Sequence, residues 1–357
     1  MRFVKIPGLA GLMVASLVCW CRTEASDSIS QEHGPERTLA RDQRVADLSR
    51  FEPSGLSLLR PYAKGKIPVV FIHGLWSGPW SWSRMIRELE ADESIAERYQ
   101  FWTFGYSTGD PLPYSAWLLR QAIGQARAKF NRDSSDPAFD RMVLVGQSMG
   151  GLLAKMMAQE SKSQLWSLLS NRPFEQLAGA PEDVKLLREG IFFEPRPEIR
   201  RVIFIATPHR GSQIDDGPVK GLGAQLVRVA DPLRAAYDRL KNRNGPDFFI
   251  APFRFGLPTS IDELKWQSPF LLTLCDPGLA PKVPYHSIIA DRRDPPRPGG
   301  FDGIVPYASA HLDGAASELL ITGWHLCQEH PQVISEVRRI LAEHGRPPER
   351  LPLPPAR

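Results

Sequence analysis

Short apolar runs alternate with amphipathic stretches along most of the chain. The run over 66–72 is apolar and β-branched and leads into His73-Gly74, which is typical of a buried parallel strand that ends in a turn. Because such runs alternate with stretches of helical periodicity, we expect a mostly parallel central sheet with helices on both faces. The predicted strands lie at 66–72, 100–106, 141–145, 200–206, 283–289 and 319–322, and the predicted helices at 83–90, 115–130, 150–159 and 331–344.

Two stretches interrupt this alternation. Residues 161–197 are interpreted as lengthening one helical layer. Residues from about 212 to 281 separate the fourth and fifth predicted strands with aromatic and Pro-rich sequence. Because an insertion of that size in a compact domain is usually functional, we expect the second stretch to serve the functional site.

The chain divides into a leader, an arm, one domain and a tail. We expect a leader over 1–25, a flexible polar arm over 26–60, a single domain over 61–345 and a Pro-rich tail over 346–357. A length of 357 residues does not force a second core, since α/β domains of this order are common. The sequence leaves the oligomeric state open.

The leader has the layout of a secretory signal peptide. Arg2 and Lys5 precede an uncharged, mostly apolar stretch over 6–20. That stretch is shorter than the roughly 20 apolar residues of a membrane-spanning helix. We therefore expect export to the periplasm, the envelope or the medium. An uncleaved N-terminal anchor and a lipoprotein modified on a leader cysteine stay open as alternatives.

Charge and cysteine content narrow the function classes. The formal net charge is +4, and Lys and Arg are scattered among acidic residues rather than grouped in the blocks that follow phosphate. Nucleic acid is therefore not an expected partner. The cysteines outside the leader are Cys275 and Cys327. In an exported protein they could form a disulfide or stay as buried thiols, and their spacing leaves both open.

The strongest chemical signal is the run Gly146-Gln147-Ser148-Met149-Gly150. It follows directly on an apolar strand and opens a helical pattern, which is the setting that presents a serine hydroxyl at the apex of a strained turn. Side chains at Gly146 and Gly150 would crowd that turn and the packing of the helix. Ser148 is therefore the candidate nucleophile.

A nucleophilic serine needs donors for the negative charge that develops on the substrate oxygen. The usual pair is the backbone N–H after the serine and one from the loop after an earlier strand. Met149 and Leu75 occupy these places, and Gly74 would let the backbone approach the substrate. His73, which precedes that glycine, is interpreted as a structural histidine.

The acid and the base are expected later in the chain, in that order. Asp302 lies in a glycine turn after the strand that ends near 289, and His325 lies on the loop before the last helix. The histidine would take the proton of Ser148, and the aspartate would orient the imidazole and stabilise its charged form. Competing candidates are Asp291 and Asp294, interpreted as part of a solvated loop, and His311, His330 and His286, of which His330 marks the start of the closing helix and His286 lies within a strand.

These motifs resemble the bacterial lipase and esterase-like members of the α/β-hydrolase superfamily. The resemblance spans about residues 67–344, and it implies the α/β-hydrolase fold, a cap or lid at 212–281 and ester hydrolysis without a metal or cofactor. His209 is interpreted as shaping the start of the insertion. The run that contains it is similar to one seen in triacylglycerol lipases and in acylhydrolases related to the GPI-inositol deacylases. The motifs that carry the resemblance are His73-Gly74, 146–151, the run Ile205-Ala206-Thr207-Pro208-His209-Arg210-Gly211-Ser212, 302–306 and His325.

The sequence thus favours a carboxylic ester hydrolase that works through an acyl-Ser148 intermediate. An acyltransferase or an amidase with the same residues stays open, as does a catalytically inactive hydrolase fold that only binds ligands. The expected partner is a small-molecule or lipid ester, and association with a membrane surface is left open. Aromatic residues suggest an acyl-binding wall, although aromatics of this kind more often belong to a core. They are Trp76, Trp80, Trp82, Phe248, Phe249, Phe253 and Phe255.

Overall fold

Seven strands form one sheet in the computed structural model, which describes residues 54–213, 228–276 and 281–346. The predicted leader, the arm up to residue 53 and the tail from residue 347 lie outside the described residues. The strands are β1 (Gly55–Leu58), β2 (Ile67–Ile72), β3 (Tyr99–Gly105), β4 (Met142–Gln147), β5 (Ile199–Ile205), β6 (Tyr285–Asp291) and β7 (Ser317–Thr322).

The strand order is β1-β3-β2-β4-β5-β6-β7, and every pair except the antiparallel β1 and β3 runs parallel. The chain steps from β2 outward to β3 and then returns to place β4 on the other side of β2. Such a reversal opens a crevice at the carboxyl ends of the two central strands, where ligands bind in sheets of this type. The predicted, mostly parallel sheet is confirmed.

Helices cover both faces of the sheet. Alternate residues of β2 feed the two sides: Val70 and Ile72 enter the core on one face, and Val69 and Phe71 enter the core on the other. All six residues of β2 are buried, which explains its unbroken apolar run. The α-helices are α1 (Ser83–Glu90), α2 (Glu93–Ala96), α3 (Leu112–Phe130), α4 (Met149–Ala158), α5 (Gln164–Ser167), α6 (Pro181–Ile191), α7 (Asp231–Asn244), α8 (Ser260–Glu263), α9 (Pro269–Leu274), α10 (Tyr307–Ala310) and α11 (Pro331–His344).

The predicted helices 83–90 and 331–344 are confirmed to the residue. The imidazole of His330 accepts a hydrogen bond from the backbone N–H of Gln332 at the start of α11, where Pro331 needs no partner for a missing N–H. His330 therefore caps the N-terminus of α11, in agreement with its predicted place at the start of the closing helix.

The predicted flexible arm needs a correction at its C-terminal end. Gly55–Leu58 form β1, which pairs with β3 from Gly55 opposite Gly105 to Leu58 opposite Trp102. The segment looks unstructured in sequence because an edge strand in contact with solvent carries no long apolar run, and its partner lies more than 40 residues away.

Residues 214–227 and 277–280 of the predicted insertion lie outside the described residues. The described parts of the two interrupting stretches pack together, so the first does more than lengthen a helical layer. The Ser170 hydroxyl donates to the carbonyl of Phe248, and Arg239 of α7 forms an ion pair with Asp183 of α6. An aromatic cluster fills the space between the stretches. It contains Trp166, Phe174, Tyr237, Phe248 and Phe249.

Candidate active site

Ser148 occupies the turn between β4 and α4. Its backbone has φ 53° and ψ −125°, a strained conformation for a residue with a side chain. The strain is held from the neighbouring strand, since the backbone N–H of Ser148 donates to the carbonyl of Ile205 at 2.8 Å. The turn therefore fixes the hydroxyl at the carboxyl end of the sheet.

The glycines beside the serine are required by space. A Cβ at Gly146 would lie 2.5 Å from the Cα of Gly151, and one at Gly150 would lie 2.5 Å from the backbone oxygen of His73. These distances are far below ordinary contact, and the obstacles are backbone atoms that cannot rotate away. The crowding expected from the sequence is thus present on both sides of the turn.

The three residues predicted as nucleophile, base and acid form one hydrogen-bonded chain. Nε2 of His325 lies 2.8 Å from the hydroxyl oxygen of Ser148, and Nδ1 of His325 lies 2.8 Å from Oδ2 of Asp302. Asp302 is 1% exposed, whereas Ser148 and His325 are each 7% exposed. The two residues that would meet a substrate thus reach the surface, and the carboxylate lies behind them.

Backbone hydrogen bonds hold the acid and the base in place. Oδ1 of Asp302 accepts from the N–H groups of Ile304 and Val305, which leaves Oδ2 to face the imidazole. The N–H of His325 donates to the backbone oxygen of Asp302 at 3.0 Å. The two loops that follow β6 and β7 therefore brace one another.

Gln147 is a site residue for which the sequence gave no role. Its side-chain amide donates to the backbone oxygen of His325 at 3.2 Å, and its own side chain is buried. The residue before the serine thereby ties the loop of the histidine to the turn of the serine. The only sequence signal was its place inside the Gly-x-Ser-x-Gly run, where any residue satisfies the pattern.

The two predicted oxyanion donors are backbone N–H groups at this crevice. A Cβ at Gly74 would lie 3.0 Å from Cβ of Ser148, so the loop after β2 passes directly over the serine. Among the described residues, the N–H groups of Leu75 and Met149 have no hydrogen-bond acceptor. Met149 is moreover the first residue of α4, where the helix dipole favours negative charge.

His73 lies beneath this loop. Its ring stacks on Tyr106 with centroids 4.5 Å apart, and its Nδ1 lies 3.0 Å from the backbone oxygen of Gly74. Burial lowers the pKa of His73 to about 4, with the backbone hydrogen bond opposing the shift, so the ring is neutral at physiological pH. Its contacts are those of a packed histidine that supports the loop.

Asp291 departs from the expectation of a solvated loop. It is the last residue of β6 and is buried, and its carboxylate pairs with the guanidinium of Arg293 at 2.7 Å. It also accepts backbone N–H groups of Arg293, Arg297 and Phe301, and these hydrogen bonds and the ion pair hold its pKa well below the usual range. Asp291 therefore orders the loop that delivers Asp302.

The remaining competitors lie in other networks. His311 contacts Glu318 at 2.6 Å, and this hydrogen bond raises the pKa of His311. His286 lies between Arg201 and the hydroxyl of Ser317. Asp294 accepts a hydrogen bond from the hydroxyl of Thr322 at 3.3 Å.

His209 is enclosed rather than at the rim of the insertion. It is 0% exposed, its ring meets Phe204 edge to face, and both ring nitrogens lack a partner among the described residues. The structure also differs from the proposed aromatic wall. Trp82, Phe248 and Phe249 belong to the core, whereas Trp76, Trp80 and Phe255 are exposed.

Three further features bear on the expected chemistry. Cys275 and Cys327 are both free thiols, so the disulfide alternative does not hold in this structure. Within 54–213, 228–276 and 281–346, no cluster of three or more His, Cys, Asp or Glu side chains could hold a metal ion. Over the same residues, no helix has the length and apolar character needed to cross a bilayer.

A family model described as the alpha/beta hydrolase family matches residues 69–354. The chain belongs to this family. The matched span contains the whole candidate site from the loop after β2 to the histidine before α11, and it agrees with the sheet and the covering helices described above. No curated protein matches the sequence.

Solved structures of bacterial lipases and esterases are similar to this chain at low identity. The mature form of the lipase BlEst2 from Bacillus licheniformis is 16% identical, with a TM-score of 0.46 over 82% of this chain and 99% of that one. Esterase B from Lactobacillus rhamnosis is 13% identical, with a TM-score of 0.44 over 94% of this chain and 96% of that one.

Proposed function

We propose that this protein hydrolyses carboxylic esters through an acyl-enzyme formed on Ser148. The observation that carries the proposal is the hydrogen-bonded chain from Ser148 through His325 to Asp302, with both links at 2.8 Å. A serine hydroxyl is a weak nucleophile unless a base takes its proton, and this chain supplies that base together with a carboxylate that orients it.

The proton path follows from the two ring nitrogens. Nδ1–H of His325 donates to the carboxylate of Asp302, which leaves Nε2 as the acceptor for the hydroxyl proton of Ser148. As Ser148 Oγ attacks the ester carbonyl, the imidazole becomes charged and the buried carboxylate stabilises it. The same proton then passes to the leaving alcohol, and water repeats the sequence to release the acid.

The oxyanion of the tetrahedral intermediate would be bound by the N–H groups of Leu75 and Met149. Both donors lie where the loop after β2 crosses the start of α4. Neither N–H donates a hydrogen bond to another described residue. Backbone donors of this kind are fixed before the reaction, so little reorganisation is needed when the charge develops.

The substrate is expected to carry an apolar acyl part. A mostly apolar cavity of about 70 Å³ lies between the start of α3 and helices α5 to α7. Its walls include Leu168, Leu187, Tyr237, Phe253 and Phe270. We propose that the two interrupting stretches act as a cap and that this cavity takes up the chain of the ester.

Large apolar side chains also remain in solvent on the two loops of the site. Trp76 and Trp80 follow β2, and Trp324 and Leu326 flank His325; each of the four is between 44% and 52% exposed. Exposed apolar groups concentrated on such loops mark contact with an apolar partner. This concentration favours a lipid ester or an ester presented at a membrane surface over a small polar ester.

The experiment uses the purified protein with p-nitrophenyl esters of acyl chains from two to sixteen carbons. We expect turnover with wild-type protein, a loss of about 10³-fold or more in Ser148→Ala, and labelling of Ser148 by a fluorophosphonate probe. A chain-length optimum that shifts to shorter esters in Leu187→Trp would support the acyl role of the cavity. No turnover of any ester together with no labelling would overturn the proposal.

The acyltransferase and amidase alternatives are separated in the same assay. Adding a primary alcohol would divert the acyl group to a new ester if the acceptor site favours an alcohol over water, whereas a hydrolase releases the free acid in both cases. Replacing the ester by the matching p-nitroanilide tests for amidase turnover. Free acid as the main product, with little anilide turnover, is the outcome that the proposal requires.

A further inference from the structure

A lysine is buried two turns beyond the candidate nucleophile. Lys155 belongs to α4, is 1% exposed, and its Nζ lies 3.4 Å from Sγ of Cys275. Among the described residues, this sulfur is the one hydrogen-bond or ion-pair partner of the amine. A buried amine is normally paired with a carboxylate, because an isolated ammonium loses its hydration, so a pairing with a thiol calls for an explanation.

The thiol lies between this buried amine and an open groove. Cys275 is partly exposed, and it lines the groove together with Gln164, Arg210 and Asp276. On its inner side, the thiol donates to the backbone oxygen of His209 at 3.0 Å. The sulfur can therefore be reached from solvent, while it contacts the amine of Lys155 and the backbone oxygen of His209 on its buried side.

Basic side chains lie next to the sulfur, with Lys155 on its buried side and Arg210 along the same groove. Besides Lys155, the charge of Arg210 acts on the same buried cluster, and the enclosed ring of His209 has no hydrogen-bond partner among the described residues. Burial is the largest cause that lowers the pKa of Lys155, so a larger fraction of its amine is neutral, and able to accept a proton, than in an exposed lysine. Partly exposed thiols in electropositive surroundings are the reactive ones in proteins.

We propose that Cys275 is a nucleophilic thiol, with Lys155 as its base, that takes up small disulfides from the groove as mixed disulfides. In this step, Sγ of Cys275 attacks one sulfur of the small disulfide while the thiol proton moves to Nζ of Lys155. The disulfide S–S bond breaks, a new S–S bond forms to Cys275, and the departing thiolate takes the proton from Lys155 and leaves as a thiol.

Cys327 provides a matched internal control. It is 4% exposed, and burial together with the nearby charge of Asp302 raises the pKa of its thiol to about 12. It has no part in the proposed reaction, so its labelling reports any loosening of the folded protein.

The test treats the full chain with iodoacetamide and, separately, with oxidised glutathione, and follows each cysteine by peptide-resolved mass spectrometry. At pH 7 we expect Cys275 to react about 10-fold or more faster than Cys327 with both reagents. In Lys155→Met we expect the rate at Cys275 to fall about 10-fold while that at Cys327 stays unchanged. Lys155→Arg should fall by a similar factor, since a guanidinium keeps the charge but does not accept the proton.

Three results would overturn the proposal. They are a Cys275 rate in wild-type protein no higher than that of Cys327, no difference between wild type and Lys155→Met, and alkylation of Cys275 without any mixed disulfide. If Lys155→Met does not fold, the wild-type comparison of the two cysteines and the mixed-disulfide yield decide the matter. Because thiol chemistry is measured and not ester turnover, failure here and failure of the proposed hydrolase activity are independent.

Discussion

The side-chain amide of Gln147 donates to the backbone oxygen of His325, so the residue before Ser148 fixes the loop that carries the proposed base. The bond joins the last residue of β4 to the loop before α11. Gln147 therefore acts by positioning His325, because Gln147 itself does not contact the reacting atoms.

Replacing this amide by an apolar group should loosen the histidine. For Gln147→Leu we expect kcat to fall about 10-fold with KM little changed. The reason is that even a small displacement of the imidazole of His325 from Ser148 slows the chemical step. The fluorophosphonate labelling rate of Ser148 should fall by the same factor. A Gln147→Leu protein that labels at the wild-type rate would show that the amide has no positioning role.

Changing the acid to its amide should remove catalysis and leave the fold. In Asp302→Asn, Oδ1 can still accept the N–H groups of Ile304 and Val305, whereas the amide nitrogen would face Nδ1 of His325 and favour the wrong tautomer. We expect kcat to fall by about 10³ to 10⁴ with the melting temperature within a few degrees of wild type. Ester turnover and a thermal melt on one preparation check both expectations.

The neighbouring acid should behave in the opposite way. Asp291→Asn removes a buried charge that pairs with Arg293 and accepts several backbone N–H groups, so we expect about 2 kcal/mol less free energy of unfolding. Once folded at low temperature, the variant should keep more than a tenth of wild-type kcat. Urea unfolding and steady-state kinetics distinguish this stabilising role from a role as the acid of the site.

Stability should fall as the pH drops from about 6.5 to 4. Burial lowers the pKa of His73, His286 and His344 to about 4 in the folded protein, compared with about 6.5 in the unfolded chain. Between these values the unfolded state binds more protons, so the free energy of unfolding increases with pH across the window and is fully present above it. For His73 alone the loss approaches about 3 kcal/mol below pH 4.

Urea unfolding at pH 7.5, 6.5, 5.5 and 4.5 measures this dependence, and His73→Gln should flatten it in part. His311 acts in the reverse sense, because its pKa is raised by Glu318, but it is more exposed and therefore contributes less. A free energy of unfolding that is constant from pH 7.5 to 4.5 would contradict the buried, neutral state of these rings.

The close packing around the turn of Ser148 gives a prediction about two glycines. Gly150→Ala places a methyl group against backbone oxygens of β2 and the following residue, so α4 must shift, and we expect a loss of about 3 kcal/mol or more. Gly124→Ala in α3 is the matched control. A Cβ there meets only the end of Arg196 at 4.0 Å, and the change should stabilise the protein by about 1 kcal/mol through helix propensity. Equal stability changes in the two variants would be inconsistent with this packing.

Much of the fold could be read from local pattern. The buried strands are recognisable as apolar runs because both faces of the sheet are covered. The cap at His330 and the following proline set the start of α11. Ser148, Asp302 and His325 could be proposed in advance because the serine lies between a strand and a helix, and because the acid and the base were sought after later strands in a fixed chain order. The structure brings these three side chains into one hydrogen-bonded chain.

The features that escaped prediction depend on distant partners. Gln147 bonds to a residue 178 positions away, and Asp291 is charged yet buried because a loop folds back on it. The residues next to Gln147 and Asp291 in sequence do not identify the groups to which these side chains bond. The strand at Gly55–Leu58 was hidden for the same reason, since its edge position leaves only one side chain fully buried.

That edge strand has a practical consequence for anyone who shortens the protein. The apolar pattern of the domain begins only after residue 61, so the sequence alone would suggest a truncation at that point. Such a truncation would remove β1 and leave the edge of β3 unpaired. The seven residues of β3 are all buried and include Tyr99, Phe101, Trp102 and Phe104, and their open backbone groups would invite a second molecule to dock as a new strand. Such a truncated version is expected to self-associate and precipitate, whereas one that retains Gly55–Leu58 keeps the edge of β3 paired.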